Sequence, residues 1–264
     1  MAPTNPLAGD GLRLEGVRGT NSTGGVTFAP STFAGQIDNS GTIAAGDNGS
    51  GSTAGFHAVN GVSFQGTLNN QATGVISGAN NGVYFGNAVA GGGADHTGGT
   101  FNNKGTVSSD SRALNIDGTG LTVNNGGDLL GTGNQRNGTV YADSTAQDFT
   151  LNNKGTIDAG AGNLGAGFSA ELSESGNDFT INNSGNLVGR GNAGAGAATA
   201  GDGIRLERTR VGGALDGSTT GLFSGTINNS GTVSSEATNG TVGGFRAVNG
   251  VDFQGTLNLS LIHI

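Results

Sequence analysis

The chain has 264 residues, a formal net charge of −8 and no cysteine, which excludes disulfides and cysteine-based metal sites. The excess of acid disfavours nucleic acid and anionic membranes as partners. No apolar run approaches the roughly 20 residues of a membrane-spanning helix, so no membrane insertion is expected of this segment. Charged residues are few, and the spacing of apolar residues is therefore the main guide to the fold.

In chain order, the first predicted element is a short strand that opens with glycine and an apolar residue, as in Gly11 to Leu14. Similar strands recur along the whole chain. Their first apolar residues are Leu12, Phe56, Val83, Leu114, Val140, Phe168, Ile204 and Phe245. Repeats of this length made from strands alone indicate a solenoid. The sequence predicts an all-β, right-handed parallel β-helix of about eight coils, each with three short strands.

A corner motif joins the other two predicted strands of each coil. Two apolar residues lie six positions apart and flank Asn-Asn, one variable residue and Gly, as in Leu151 to Ile157 and Ile227 to Val233. Alternation before the corner is typical of a half-buried strand, and Asn and Gly suit left-handed or tight backbone. The residues predicted to lie inside are Ile37, Ile43, Phe64, Leu68, Val107, Val123, Leu151, Ile157, Ile181, Leu187, Ile227 and Val233.

The asparagines of the corner are predicted to stack in one row along the solenoid axis. Each side-chain amide would then bond to its equivalent in the next coil. The predicted members of this structural ladder are Asn39, Asn103, Asn125, Asn153, Asn183 and Asn229.

The two ends of the chain resemble each other. Residues 9–69 are similar to residues 201–258, which indicates an internal duplication. We therefore expect one β-helix domain over 1–258, followed by a tail, 259–264, that does not follow the repeat and is of doubtful origin. The first ten residues are polar and do not resemble a signal peptide, and we expect the chain to be a fragment of a longer protein.

Repeats such as Ile37 to Ile43 and Ile227 to Val233 resemble those of autotransporter passenger domains of Gram-negative bacteria. The resemblance implies secretion to the cell surface and a C-terminal membrane barrel in the full-length chain. It also implies glycans of a host cell, a neighbouring cell or the extracellular matrix as partners of an adhesin. Such passengers carry adhesins, proteases, esterases and plain stalks on one scaffold, so the resemblance indicates architecture more than activity.

The outward positions of the first strand contain a candidate binding face. Four acids, Asp117, Asp143, Glu171 and Glu207, are predicted to stack one coil apart, beside a row that contains Tyr141 and Arg205. Stacked like charges raise the pKa of some members or attract a cation. This face is interpreted as a solvated surface, a site for Ca²⁺ or another hard cation, or a saccharide-binding or hydrolysing groove with the carboxyl separations of glycosidases.

Two function classes follow from these patterns. The favoured class is a structural or adhesive rod that is secreted or exposed at the cell surface. The alternative is a carbohydrate-active enzyme, a glycoside hydrolase or lyase, or a saccharide-binding module that uses the acidic row on one face of the same rod. An enzyme should have a cleft beside the acidic row, whereas a stalk should have uniform polar faces. The sequence assigns no catalytic residue, cofactor or metal site.

Overall fold

A computed structural model of the chain describes residues 9–20, 25–46, 53–86, 98–131, 138–160, 165–191, 201–208, 220–236 and 242–260. Within these ranges every regular element is a β-strand. Most of the predicted tail, residues 261–264, lies outside the described residues, as do residues 1–8.

Three long parallel sheets run along the molecule, and a complete coil contributes one strand to each of the three. The first sheet consists of Leu12–Glu15, Ala54–Val59, Asn81–Phe85, Arg112–Ile116, Val140–Ala142, Phe168–Leu172, Ile204–Arg208 and Phe245–Val248. The second consists of Gln36–Asn39, Thr67–Asn70, Thr100–Asn103, Thr122–Asn125, Thr150–Asn153, Thr180–Asn183, Thr226–Asn229 and Thr256–Leu259. The third consists of Thr42–Ala44, Val75–Gly78, Thr106–Ser109, Asp128–Gly131, Thr156–Asp158, Asn186–Gly189 and Thr232–Ser235.

Neighbours in each sheet come from successive coils, as a parallel β-helix requires. The predicted fold is therefore confirmed. Eight coils at an inter-strand spacing of about 4.8 Å give a rod roughly 38 Å long.

Three short strand pairs lie between the first and second sheets along the chain. Two of these pairs are parallel, and the third is an antiparallel ribbon. The pairs are Ser31–Phe33 with Val62–Phe64, Gly221–Phe223 with Val251–Phe253, and Val17–Thr20 with Val26–Ala29. The antiparallel ribbon interrupts the coil pattern and leaves both its strands mostly exposed.

The core is one continuous column of apolar side chains inside the coils. The predicted inward residues of the middle coils, such as Leu151 and Ile181, have no exposed surface. Phenylalanines stack along the column, with Phe149 and Phe179 ring centroids 4.6 Å apart. Ile37, near one end, is only partly buried against this column. Burial therefore decreases from the middle coils toward the ends.

Glycine at the corners is required by close approach between coils. A Cβ at Gly155 would overlap the carbonyl oxygen of Gly127, and a Cβ at Gly185 would overlap that of Gly155. None of the described corner glycines or asparagines has a positive φ. Of the two backbone conformations expected at the corners, left-handed or tight, the described corners therefore have the tight one. The corner is tight because equivalent backbones stack directly on one another.

Candidate functional site

The four acids of the predicted face occupy equivalent positions in successive coils. Glu171 is in register with Glu207 in the first sheet. Asp143 and Asp117 each follow strand residues that are in register with their counterparts one coil away. The acids therefore form a column on the outer side of the first sheet, outside the apolar core.

This face is not an open, solvated surface along its whole length. Glu207 is 2% exposed, Arg205 is 1% exposed and Tyr141 is 5% exposed. Asp117 and Asp143 are half-buried, as is Glu171. The interpretation as a solvated surface is therefore wrong for the end of the column that contains Arg205 and Glu207. Buried charges need partners, and the structure provides them.

The two tyrosines of the face donate hydrogen bonds to the acids beside them. Tyr84 Oη donates to Asp117 Oδ2 at 2.7 Å, and Tyr141 Oη lies 3.4 Å from Asp143 Oδ2. Burial, followed by the negative charge of the neighbouring acid, raises the pKa of both phenols. Both remain protonated donors at neutral pH and hold the acids in place.

One face of each tyrosine ring is already covered. The Arg112 guanidinium carbon lies 4.4 Å from the centroid of the Tyr141 ring, within cation–π distance. His57 stacks on Tyr84 with centroids 4.9 Å apart. A sugar ring is therefore prevented from stacking on these tyrosines from the sides that Arg112 and His57 occupy.

Arg205 neutralises the last acid of the column. Its Nη2 donates to Glu207 Oε2 at 3.0 Å, and its Nη1 donates to Asp202 Oδ2 at 2.9 Å. The side chains of all three residues are at most 3% exposed. Arg205 is therefore a structural ion-pair partner and is not available to a ligand from solution.

The column does not gather its acids into a metal site. Among the described residues, no group of three or more histidines, aspartates and glutamates is placed to hold a metal ion. Each of the described acids Asp117, Asp143 and Glu207 instead has a hydrogen-bonding neighbour within the protein. In this geometry the column functions as part of the inter-coil packing.

The corner asparagines form a continuous ladder inside the rod. Each amide nitrogen donates to the Oδ1 of the next asparagine at 2.7–2.8 Å. The same nitrogen also donates to a third-sheet carbonyl of the next coil, as Asn153 does to Asn186 at 3.1 Å. The members are Asn39, Asn70, Asn103, Asn125, Asn153, Asn183 and Asn229. Asn70 was missed because its copy of the motif is irregular.

A second amide ladder runs along the outside of the second sheet and was not anticipated. It uses the first residue of each Asn-Asn pair, and its bonds measure 2.7–2.9 Å. We call it the outer ladder; its members are Asp38, Asn69, Asn102, Asn124, Asn152, Asn182, Asn228 and Asn258. The signal was present in the sequence, because adjacent residues of a strand face opposite sides.

A shallow groove follows the outer ladder on the side of the corners. One segment of about 590 Å³ adjoins another of about 440 Å³, and Asn124, Asn152 and Lys154 line both. Lys104 lines the second segment. We call this feature the amide groove. It differs in position from the acidic column, which lies on the first sheet.

No protein-family model matches the chain, and comparison with curated proteins and with solved structures also gives no match. Within the described ranges, no helix has the length and apolar character needed to cross a membrane.

Proposed function

We propose that this chain is a structural and adhesive β-helix rod, a passenger segment of a larger autotransporter-like protein exposed at the cell surface. The observation that carries the proposal is the pair of amide ladders, which link neighbouring coils over nearly the whole length of the second sheet. The repeat resemblance supports the surface location.

The two ladders make the rod resistant to bending. The inner ladder is buried, and Asn153 has no exposed surface. Bending would lengthen a series of hydrogen bonds in a low-dielectric interior, where an unmade bond is costly. A stiff rod with equivalent coils suits projection from a surface and repeated weak contacts with a partner.

The alternative, a carbohydrate-active enzyme on the acidic column, has weaker support. Glu207 is neutralised by Arg205, and Arg112 covers one face of Tyr141. Replacing Asp143 and Glu171 with Asn and Gln and assaying glycoside hydrolysis tests this alternative. Hydrolysis that is lost in the double variant would replace the rod proposal with an enzymatic one.

The location is tested with the full-length gene product in cells that express it. Antibodies raised against the purified rod should label intact cells, and external protease should remove the label. A periplasmic protein serves as the control for cell integrity. Labelling that requires permeabilisation would refute the proposed surface location.

The adhesive role is tested separately with beads coated with the purified rod. Coated beads should bind cells or extracellular matrix more than beads coated with an unrelated acidic protein. Equal retention of both kinds of bead would leave a stalk without adhesion, contrary to the proposal.

A further inference from the structure

The amide groove presents the same polar groups once per coil. Asn152 donates one N–H to Asn124 and accepts one hydrogen bond from Asn182. A side-chain amide has two N–H groups and two acceptor lone pairs. Each asparagine inside the outer ladder therefore keeps one N–H and one acceptor position for a ligand, at a repeat of about 4.8 Å.

The groove also contains two positive charges, although the protein as a whole is acidic. Lys104 and Lys154 are the only lysines in the chain, and both line it. No Asp or Glu lines either segment of the groove. Within the described residues no carboxylate forms an ion pair with either lysine, so their charges are available to an anion.

The two lysines are two coils apart, a separation of roughly 10 Å along the axis. Gly126 occupies the same corner position in the coil between them and has no side chain to obstruct the groove. A polymer in this groove would meet an amide at every coil and one pair of positive charges, Lys104 and Lys154, two coils apart. The separation of the two charges is therefore twice the hydrogen-bonding repeat.

We propose that the amide groove binds an anionic polysaccharide that lies along the rod axis. A sugar chain with an acidic group on every second residue can place two neighbouring acidic groups at Lys104 and Lys154, and its hydroxyls match the amide donors and acceptors. The inference rests on the proposed adhesive function and names the class of partner. Nucleic acid is disfavoured because single strands bind by stacking on aromatic side chains, and none lines the groove.

The test measures binding of the purified chain to hyaluronan, to chondroitin sulfate, to uncharged dextran and to single-stranded DNA by calorimetry at low and physiological salt. We expect binding to at least one of the two acidic polysaccharides and none to dextran. Added salt should weaken the binding, because partly exposed charges are screened. Absence of binding to both acidic polysaccharides, or equal binding to DNA or dextran, would overturn the proposal.

The site is tested with a Lys104→Gln/Lys154→Gln double variant, which should lose affinity by on the order of tenfold. A control for the loss of one cation outside the groove is Arg18→Gln, on the exposed strand Val17–Thr20, compared with each single lysine variant. Unchanged affinity in the double variant, or an equal loss in Arg18→Gln, would contradict the assignment.

A second variant, Asn152→Asp, places a negative charge in the groove. The introduced carboxylate can still accept from Asn182, as Asp38 accepts from Asn69 at 2.8 Å, but the bond to Asn124 is lost. We expect weakened binding by a rod that remains folded at the cost of this one partly exposed hydrogen bond, and circular dichroism checks the fold. A rod that reaches the cell surface and adheres but binds no acidic polysaccharide would refute this inference and leave the proposed function intact.

Discussion

The chain forms the same ionic cluster in two places, in the first coil and near the other end of the rod. In the first cluster Arg13 joins Asp10 at 2.7 Å and Glu15 at 2.8 Å. In the second cluster Arg205 joins Asp202 and Glu207 at 2.9 Å and 3.0 Å. The spacing of acid, arginine and acid along the chain is identical in the two clusters.

The clusters differ in burial and in their fourth member. The Arg13 side chain is 25% exposed, whereas that of Arg205 is 1% exposed. His57 lies 3.0 Å from Asp10 in the first cluster, and Arg246 lies 3.4 Å from Asp202 in the second. The arginine of the motif is therefore partly exposed to water in one place and buried in the other, whereas the first aspartate, Asp10 or Asp202, is buried in both.

The two clusters have the same residue types and spacing, so differences in their stability arise from their surroundings. Exposed ion pairs contribute little because water and salt screen them. Breaking a buried pair is costly, because the charge that remains is neither solvated nor paired. The largest predicted differences between the clusters therefore follow from burial.

Arg205→Ala and Arg13→Ala should show the largest difference in stability between the two clusters. Arg205→Ala leaves Asp202 and Glu207 buried without their main partner, and we expect a loss of about 3–5 kcal/mol in the free energy of unfolding. Arg13→Ala should lose less, because the Arg13 side chain is 25% exposed and the buried Asp10 keeps its bonds with His57 and the Ala54 amide. Urea unfolding, with hydrogen exchange of the Ile204–Arg208 and Leu12–Glu15 amides, measures both. Equal losses would show that burial does not distinguish the clusters.

Acid should weaken the first cluster through Asp10. Burial raises the pKa of this carboxyl, but hydrogen bonds from His57, the Ala54 amide and Arg13 outweigh burial and lower the pKa to about 2. The unfolded state, with its pKa near 3.8, binds more protons in this window. The stability due to Asp10 is therefore present above about pH 4 and is lost as the pH falls toward 2.

Asp10→Asn should flatten this part of the acid dependence. Hydrogen exchange of the Leu12–Glu15 amides between pH 5 and 2, corrected for intrinsic rates, reports the effect on the first coil. The Thr150–Asn153 amides, in the middle of the rod, serve as the control. An unchanged acid slope at Leu12–Glu15 in Asp10→Asn would contradict the role given to this carboxyl.

The smallest predicted difference concerns an asparagine that caps each cluster. Asn60 and Asn249 both have a left-handed backbone, with φ of 54° and 57°. Asn249 Nδ2 donates to Glu207 at 3.1 Å, and Asn60 Nδ2 lies 3.4 Å from Glu15. Because Gly adopts this φ without strain, Asn→Gly removes the amide in the folded state, and the added freedom of the unfolded chain is common to both variants.

We expect Asn249→Gly to lose about 1 kcal/mol and Asn60→Gly less than half of that, since Glu207 is buried and Glu15 is partly exposed. Thermal unfolding of the two variants, measured side by side, checks the order. A larger loss in Asn60→Gly would reverse the comparison.

Much of the fold could be predicted because strand periodicity is local. Alternation of apolar and polar residues assigned Leu151 and Ile157 to the inside, and the corner repeat indicated the coil. The inner ladder followed from the same register. These properties depend only on which side of a strand each residue faces. A repetitive sequence shows the same alternation in every coil, so the assignment is supported several times.

The tertiary structure decided what lies outside the sheets. Alternation placed Arg205 and Glu207 outward, but whether an outward side chain is solvated depends on what packs over it, which is non-local. The corner glycines are likewise required because a Cβ would overlap the backbone one coil away, whereas their own φ does not require glycine. The amide groove exists because Lys104 and Lys154, 50 residues apart in the chain, reach equivalent corners when the coils stack. The spacing of residues in the sequence therefore determined which side of its strand each residue faces. Which residues it contacts was determined only by the stacking of the coils.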